Sequence, residues 1–152
     1  MKQSRLAAQA RAHLDERFKA LEPSLLAPPV RGWIKAIREA LGMTALQLAK
    51  RLNVKQPSIV ALEQSEAKGT IELATLRRVA EALDCRLVYA LVPNKPLEQT
   101  VGERALLFAR RRLEPIEHSM ALGDQKVQRK QTQALIDEIL RETNPHRLWD
   151  EP

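Results

Sequence analysis

Residues 45–64 read ALQLAKRLNVKQPSIVALEQ, and this stretch decides the fold. Apolar residues recur at helical steps on both sides of Asn53-Val54, which predicts two short helices joined by a tight turn. Thr44 is placed to cap the first helix, since a Thr oxygen can accept an amide of the opening turn. Asn53 tolerates the left-handed backbone that such a turn demands. Pro57 fits only in the first turn of the second helix, where its missing N–H costs nothing. Ala49 is small where the two helices must cross closely. Leu48, Leu52, Val54, Ile59 and Leu62 are then expected to share one core.

Two helices of this length and spacing suit a helix-turn-helix. Gln56, Pro57, Val60, Ala61 and Gln64 are left on the outer face of the second helix, which can enter a DNA major groove. Gln56 can bond an adenine edge, while Val60 and Ala61 can meet a thymine methyl, with Pro57 beside them. Thr44, Lys55, Ser58 and Lys68 are better suited to phosphates, as is the helix N-terminus itself. The alternative is an ordinary solvated helix face.

Outward from this stretch, Gly32–Leu41 is predicted helical with Ile34, Ile37, Arg38 and Leu41 on one side, and Gly42 stops it. Leu73–Leu83 repeats apolar residues at Leu73, Leu76, Val79, Ala80 and Leu83. The segment RLVYALV (Arg86, Leu87, Val88, Tyr89, Ala90, Leu91, Val92) is the one expected strand, halted by Pro93. A lone strand leaves its polar edge unpaired, so it is expected to pair with a two-fold mate and dimerise the protein. The alternative is an irregular arm lying on its own domain.

Lys2 to about Leu21 carries a narrow apolar stripe (Leu6, Ala10, Leu14, Phe18, Leu21), followed by a linker stiffened by Pro28-Pro29. Leu97 to about Leu122 reads as one long helix with Pro115 as a candidate bend, Gly123-Asp124 as a break, and Lys126–Glu142 as a last helix. The tail NPHRLWDEP reads as irregular, with Leu148-Trp149 either anchoring it or fraying. The chain thus divides into 1–30, a domain at 31–92 and a helical extension at 93–152. The expected fold class is all-α: a five-helix domain with one short C-terminal β-strand, flanked by further helices. The flanking helices suit either an extended dimer interface or a partner protein.

Charge agrees with the outer-face reading. Of 152 residues, 25 are Lys or Arg and 19 Asp or Glu, a formal charge of +6. Residues 31–92 hold 10 basic and 6 acidic side chains, whereas 93–152 hold 10 of each. A basic surface is what a polyanion binder presents. Arg110-Arg111-Arg112 could touch DNA, but its acidic neighbours favour a solvated face. With 3% aromatic residues and five glycines, composition favours an α-rich chain over a β-sandwich. No apolar run approaches the ~18 residues of a membrane span, and the N-terminus lacks a signal-like apolar stretch. One cysteine excludes a disulfide framework within the chain and any Cys₄ zinc site. A cytoplasmic protein is expected. His13, His118 and His146 have no metal-ligand spacing, and there is no glycine-rich phosphate loop. No enzyme activity and no cofactor are expected.

The pattern MTALQLAKRLNVKQPSIVALE resembles the Xre/Cro-type helix-turn-helix family of phage repressors and antitoxins, over about Gly32 to Leu83. Ala45 departs from the Gln usual there, and Lys55 from the usual Ser or Thr cap. The resemblance implies that Arg38 pairs with Glu63 and approaches a DNA phosphate. It further implies double-stranded DNA with a palindromic operator as partner, bound by a homodimer. RGWIKAIREALGMTALQLAKRLNV, LEQSEAKGTIELATLRRVAEALDCRLVYALVP, HSMALGDQ and NPHRLWD are similar to the "mobile mystery protein A" subgroup. That subgroup accompanies a Fic-domain protein, so the likeness implies an antitoxin-like autorepressor. The alternative is an interaction module that neutralises a toxin, with DNA binding secondary. The Ser/Thr-x-x-x-Glu-Gly/Asn inhibitory string of Fic antitoxins is absent from the sequence.

Overall fold

The computed structural model describes residues 2–117 and 125–150, and these fall into two compact units. One unit, Glu22–Leu91, contains α2 (Trp33–Ala40), α3 (Ala45–Leu52), α4 (Gln56–Lys68) and α5 (Leu73–Ala82), preceded by a 3₁₀ turn at Pro23–Leu26. Its core is Ile34, Leu48, Ala49, Ile59, Val79 and Leu83, all at most 4% exposed. Leu52, Leu62 and Leu76 pack around that centre. Leu73 faces outward, and so does Val54, which had been expected inside.

All four helices of this unit end in the same way. Gly42, Asn53, Gly69 and Asp84 each adopt positive φ (67, 56, 75 and 56°) just past a helix. The next residue then returns its N–H to a carbonyl five positions back: Met43 to Arg38, Val54 to Ala49, Thr70 to Ser65, and Cys85 to Ala80. This Schellman closure satisfies carbonyls that a helix end would otherwise leave orphaned. It also turns the chain sharply, so four short helices can pack with few linking residues. Val54 is exposed because its backbone, not its side chain, closes the α3 end.

The expected strand at Arg86–Val92 is absent. Among the described residues there is no strand, and the Glu22–Leu91 unit holds four α-helices, not five. A strand is defined by a ladder partner, and this segment has none among the described residues. Its apolar side chains stay in the open, with Val88 72% and Leu91 90% exposed.

The second unit joins the chain up to Leu21 with the chain from Val92 onward. It contains α1 (Lys2–Lys19), α6 (Leu97–Glu117), α7 (Gln125–Glu142) and a 3₁₀ turn at Pro145–Trp149. Ala109, Leu113 and Ile136 form its core, with Leu106 and Ile139 against them. α1 lies on α6, and polar anchors join the two. Asp15 accepts the N–H groups of Leu97 (2.7 Å) and Glu98 (3.1 Å), capping α6, and Arg11 pairs with Glu98 at 2.8 Å. Leu6, at the start of the stripe, is 64% exposed. α6 runs through Pro115, whereas the expected helix end near Leu122 and break at Gly123-Asp124 lie outside the described residues.

The tail is ordered as a 3₁₀ turn instead of irregular chain. Asn144 caps it by accepting the N–H of His146. Leu148 is buried and Arg104 donates to its carbonyl at 2.6 Å, while the Trp149 indole stays half exposed. No helix among the described residues is long and apolar enough to cross a membrane.

Candidate nucleic-acid interface

α3 and α4 are joined by Asn53, Val54 and Lys55. Thr44 opens α3 with a capping box: its hydroxyl accepts the Gln47 N–H at 3.2 Å, and the Gln47 side chain accepts the Thr44 N–H at 2.8 Å. Thr44 remains exposed, and its hydroxyl proton is still free for an anion. Lys55 is the N-cap residue of α4 and contributes no side-chain cap, and Pro57 sits in the first turn. The lysine side chain is therefore left to solvent.

α4 has two contrasting sides. Ile59 and Glu63 are buried, with Leu62 and Glu66 partly so. Pro57, Val60, Ala61, Gln64 and Lys68 are all exposed, and at 3.6 residues per turn they fall within roughly 100° of arc. Gln56 is exposed about 40° beyond one edge of that arc and Ser58 about 60° beyond the other. Lys68 lies at the far end of the helix, about 18 Å along the axis from Gln56. The exposed side of α4 thus carries the base-reading candidates, with Lys55 and Lys68 near its two ends.

Arg38 and Glu63 meet behind that surface. Arg38 Nε lies 2.6 Å from Glu63 Oε1 and Nη2 3.3 Å from Oε2, a bidentate pair. Nη1 donates to the carbonyl of Met43 at 3.0 Å. Both side chains are about nine-tenths buried, at 11% and 9% exposure. The hydrogen bond to Glu63 holds the guanidinium above its ordinary range, so it stays charged. Arg38 acts first as a strut between α2, the α2–α3 turn and α4. Any phosphate must be met by the N–H groups this geometry leaves over.

Sequence reasoning missed a second strut. Glu66 accepts the N–H of Trp33 at 3.0 Å and of Ile34 at 2.8 Å, so a carboxylate on α4 caps α2. Gly32, the N-cap residue of α2, has no side chain to cap with, and that was the only hint. Arg51 was missed likewise: it donates to the Ala82 carbonyl at 3.1 Å, at the end of α5. Arg86, Leu87, Val88, Tyr89, Ala90, Leu91 and Val92 do not join the α4 surface by any element, since they form none. No three His, Cys, Asp or Glu side chains come together to hold a metal ion among the described residues.

Comparison with known families identifies the domain. Residues 34–89 match the helix-turn-helix family model. Residues 34–89 form an Xre-type helix-turn-helix domain. α3 and α4 are its paired helices. This domain supports a DNA-binding regulator. No curated protein and no solved structure matches the chain.

Proposed function

We propose that the protein is a sequence-specific transcriptional regulator that inserts α4 into the major groove of a two-fold symmetric operator. The observation that carries this is the exposed arc of α4, with Gln56 and Val60 outward while Glu63 and Glu66 tie the same helix to α2. A helix held from behind can present its outer side chains at fixed positions, which base readout requires. Gln56, Pro57, Val60 and Ala61 read bases. Thr44, Lys55, Ser58 and Lys68, with what Arg38 leaves free, meet phosphates. One such helix reaches few bases, so the protein works as a homodimer on half-sites about 34 Å apart. It acts on the nucleoid, in the cytoplasm.

Its place beside a Fic-domain protein, as an antitoxin-like autorepressor, is supported by resemblance to the "mobile mystery protein A" subgroup alone. A second reading, an interaction module that neutralises a toxin, draws on one observation. The helices outside 34–89 make a unit with its own core, larger than a bare DNA-reading domain needs.

Selection of bound fragments from random and native DNA by the purified protein, alongside Gln56→Ala, tests the proposal. A symmetric site that the variant binds more weakly or less selectively is expected. Recovery of unrelated fragments by both proteins would overturn sequence-specific regulation. DNA-independent capture of a Fic-domain protein encoded alongside would favour the second reading.

A further inference from the structure

Beside the irregular chain that follows α5, the Glu22–Leu91 unit has an open cleft of about 410 Å³. α2 supplies Trp33 and Ile37 to its wall, α5 supplies Leu76, Ala80 and Leu83, and the segment after α5 supplies Val88. Sites for small organic molecules span about 300–1,000 Å³ and are mostly apolar with a few polar groups. This cleft has two charged groups in its lining, Glu66 and Arg86. They are not equivalent. Glu66 is engaged by the N–H groups of Trp33 and Ile34, so its charge is answered within the fold. Arg86 is exposed and forms no ion pair among the described residues.

An apolar cleft with one uncommitted cation in its wall suits a ligand that is apolar at one end and anionic at the other. We propose that this cleft binds a small organic acid, an acyl or aryl carboxylate. Its apolar part lies between α2 and α5 and its carboxylate meets Arg86. Glu66 belongs both to the cleft wall and to α4, so an occupant presses on the group that ties the recognition helix to α2. That consequence for DNA rests on the function proposed above, whereas the binding itself does not.

The test uses the full chain carrying Trp149→Phe, which leaves Trp33 as the single indole, at the cleft wall. Decanoate is titrated below its micelle concentration, with decanol as the uncharged control. A saturable change in Trp33 emission with decanoate is expected. Arg86→Gln should weaken decanoate about ten-fold, the loss of one charge-assisted contact, and leave decanol unchanged. Ala80→Phe, which fills the cleft, should abolish both, with helical circular dichroism checking its fold. Arg86→Gln alters an exposed side chain and carries the test even where Ala80→Phe does not fold. No saturable change, or an equal loss for decanoate and decanol in Arg86→Gln, overturns the proposal. So does a cleft covered by a second copy: Val88→Asp would then convert a dimer to a monomer in sedimentation, and decanoate would not bind. Decanoate binding stands even if the protein selects no DNA, so the two proposals fail separately.

Discussion

Glu66, on α4, accepts the backbone N–H of Ile34 at 2.8 Å, so α4 supplies the N-terminal cap of α2. α4 and α2 are thus joined at two points three residues apart on α4, Glu63 and Glu66. Each removes rotational freedom from the exposed face.

This arrangement couples Glu66 to Gly32. Gly32 has φ +88°, and a Cβ built there would lie 2.5 Å from Glu66 Oε1. Glu66→Ala should cost about 1–2 kcal/mol, the usual loss of a helix cap. Gly32→Ala should cost more in the wild-type chain, where backbone strain adds to the clash. In the Glu66→Ala background only the strain remains, so the double variant should be more stable than the two single losses together imply. Urea denaturation of the four proteins measures that difference. Strict additivity would show that the carboxylate does not sit over Gly32.

Arg38 and Glu63 should behave as a buried pair. Glu63→Ala leaves the guanidinium with an unmet charge in a site that is mostly closed, and about 3 kcal/mol should be lost. Lys19 and Glu16 also lie 2.8 Å apart but are more than 70% exposed, and Lys19→Ala should leave the denaturation midpoint where it is. Replacing Arg38 and Glu63 together by Met and Leu should restore much of the loss. A double variant as unstable as Glu63→Ala would argue that packing, not charge, is what Glu63 provides.

Some of this was legible in the residues and some was not, for definable reasons. The turn at Asn53, the stop at Gly42, the Thr44 cap and the placing of Pro57 follow from local backbone chemistry, which a short sequence window contains. The outer face of α4 follows from periodicity. The struts from Glu66 to α2 and from Asp15 to α6 join residues 32 or more positions apart, and no local spacing announces them. Asp84 at the end of α5 was equally unannounced, because Asp enters the left-handed region less readily than Gly. The strand at Arg86–Val92 failed for a different reason. Composition measures suitability for a ladder, but a strand needs two participants, and apolar residues alone do not supply the second.

The left-handed residues make their own prediction. Asn53 and Asp84 each hold φ 56° where glycine would be unstrained. Asn53→Ala should cost about 1 kcal/mol because the short polar side chain that tolerates this region is lost. Asp84→Gly should be neutral or stabilising, since Gly carries no Cβ penalty there. Thermal unfolding followed by circular dichroism distinguishes these cases. A stabilised Asn53→Ala protein would mean that the α3–α4 turn relaxes to another geometry, and readout by α4 should then suffer in the same variant.

Salt dependence separates the roles assigned along α4. Each phosphate contact releases condensed counterions, so the slope of log affinity against log salt counts them. Lys55→Ala and Lys68→Ala should each reduce that slope by about 1 and weaken operator and unrelated DNA alike. Gln56→Ala should leave the slope unchanged while costing about 1–3 kcal/mol on the operator alone. Fluorescence anisotropy across a salt series, with operator and scrambled duplexes, reads all three variants. The two lysines stand near opposite ends of the helix, so loss of slope in only one of them would mean that α4 enters the groove tilted, with one end lifted from the backbone. If neither changes the slope, the phosphates are met elsewhere, and Thr44 and Ser58 become the next positions to replace.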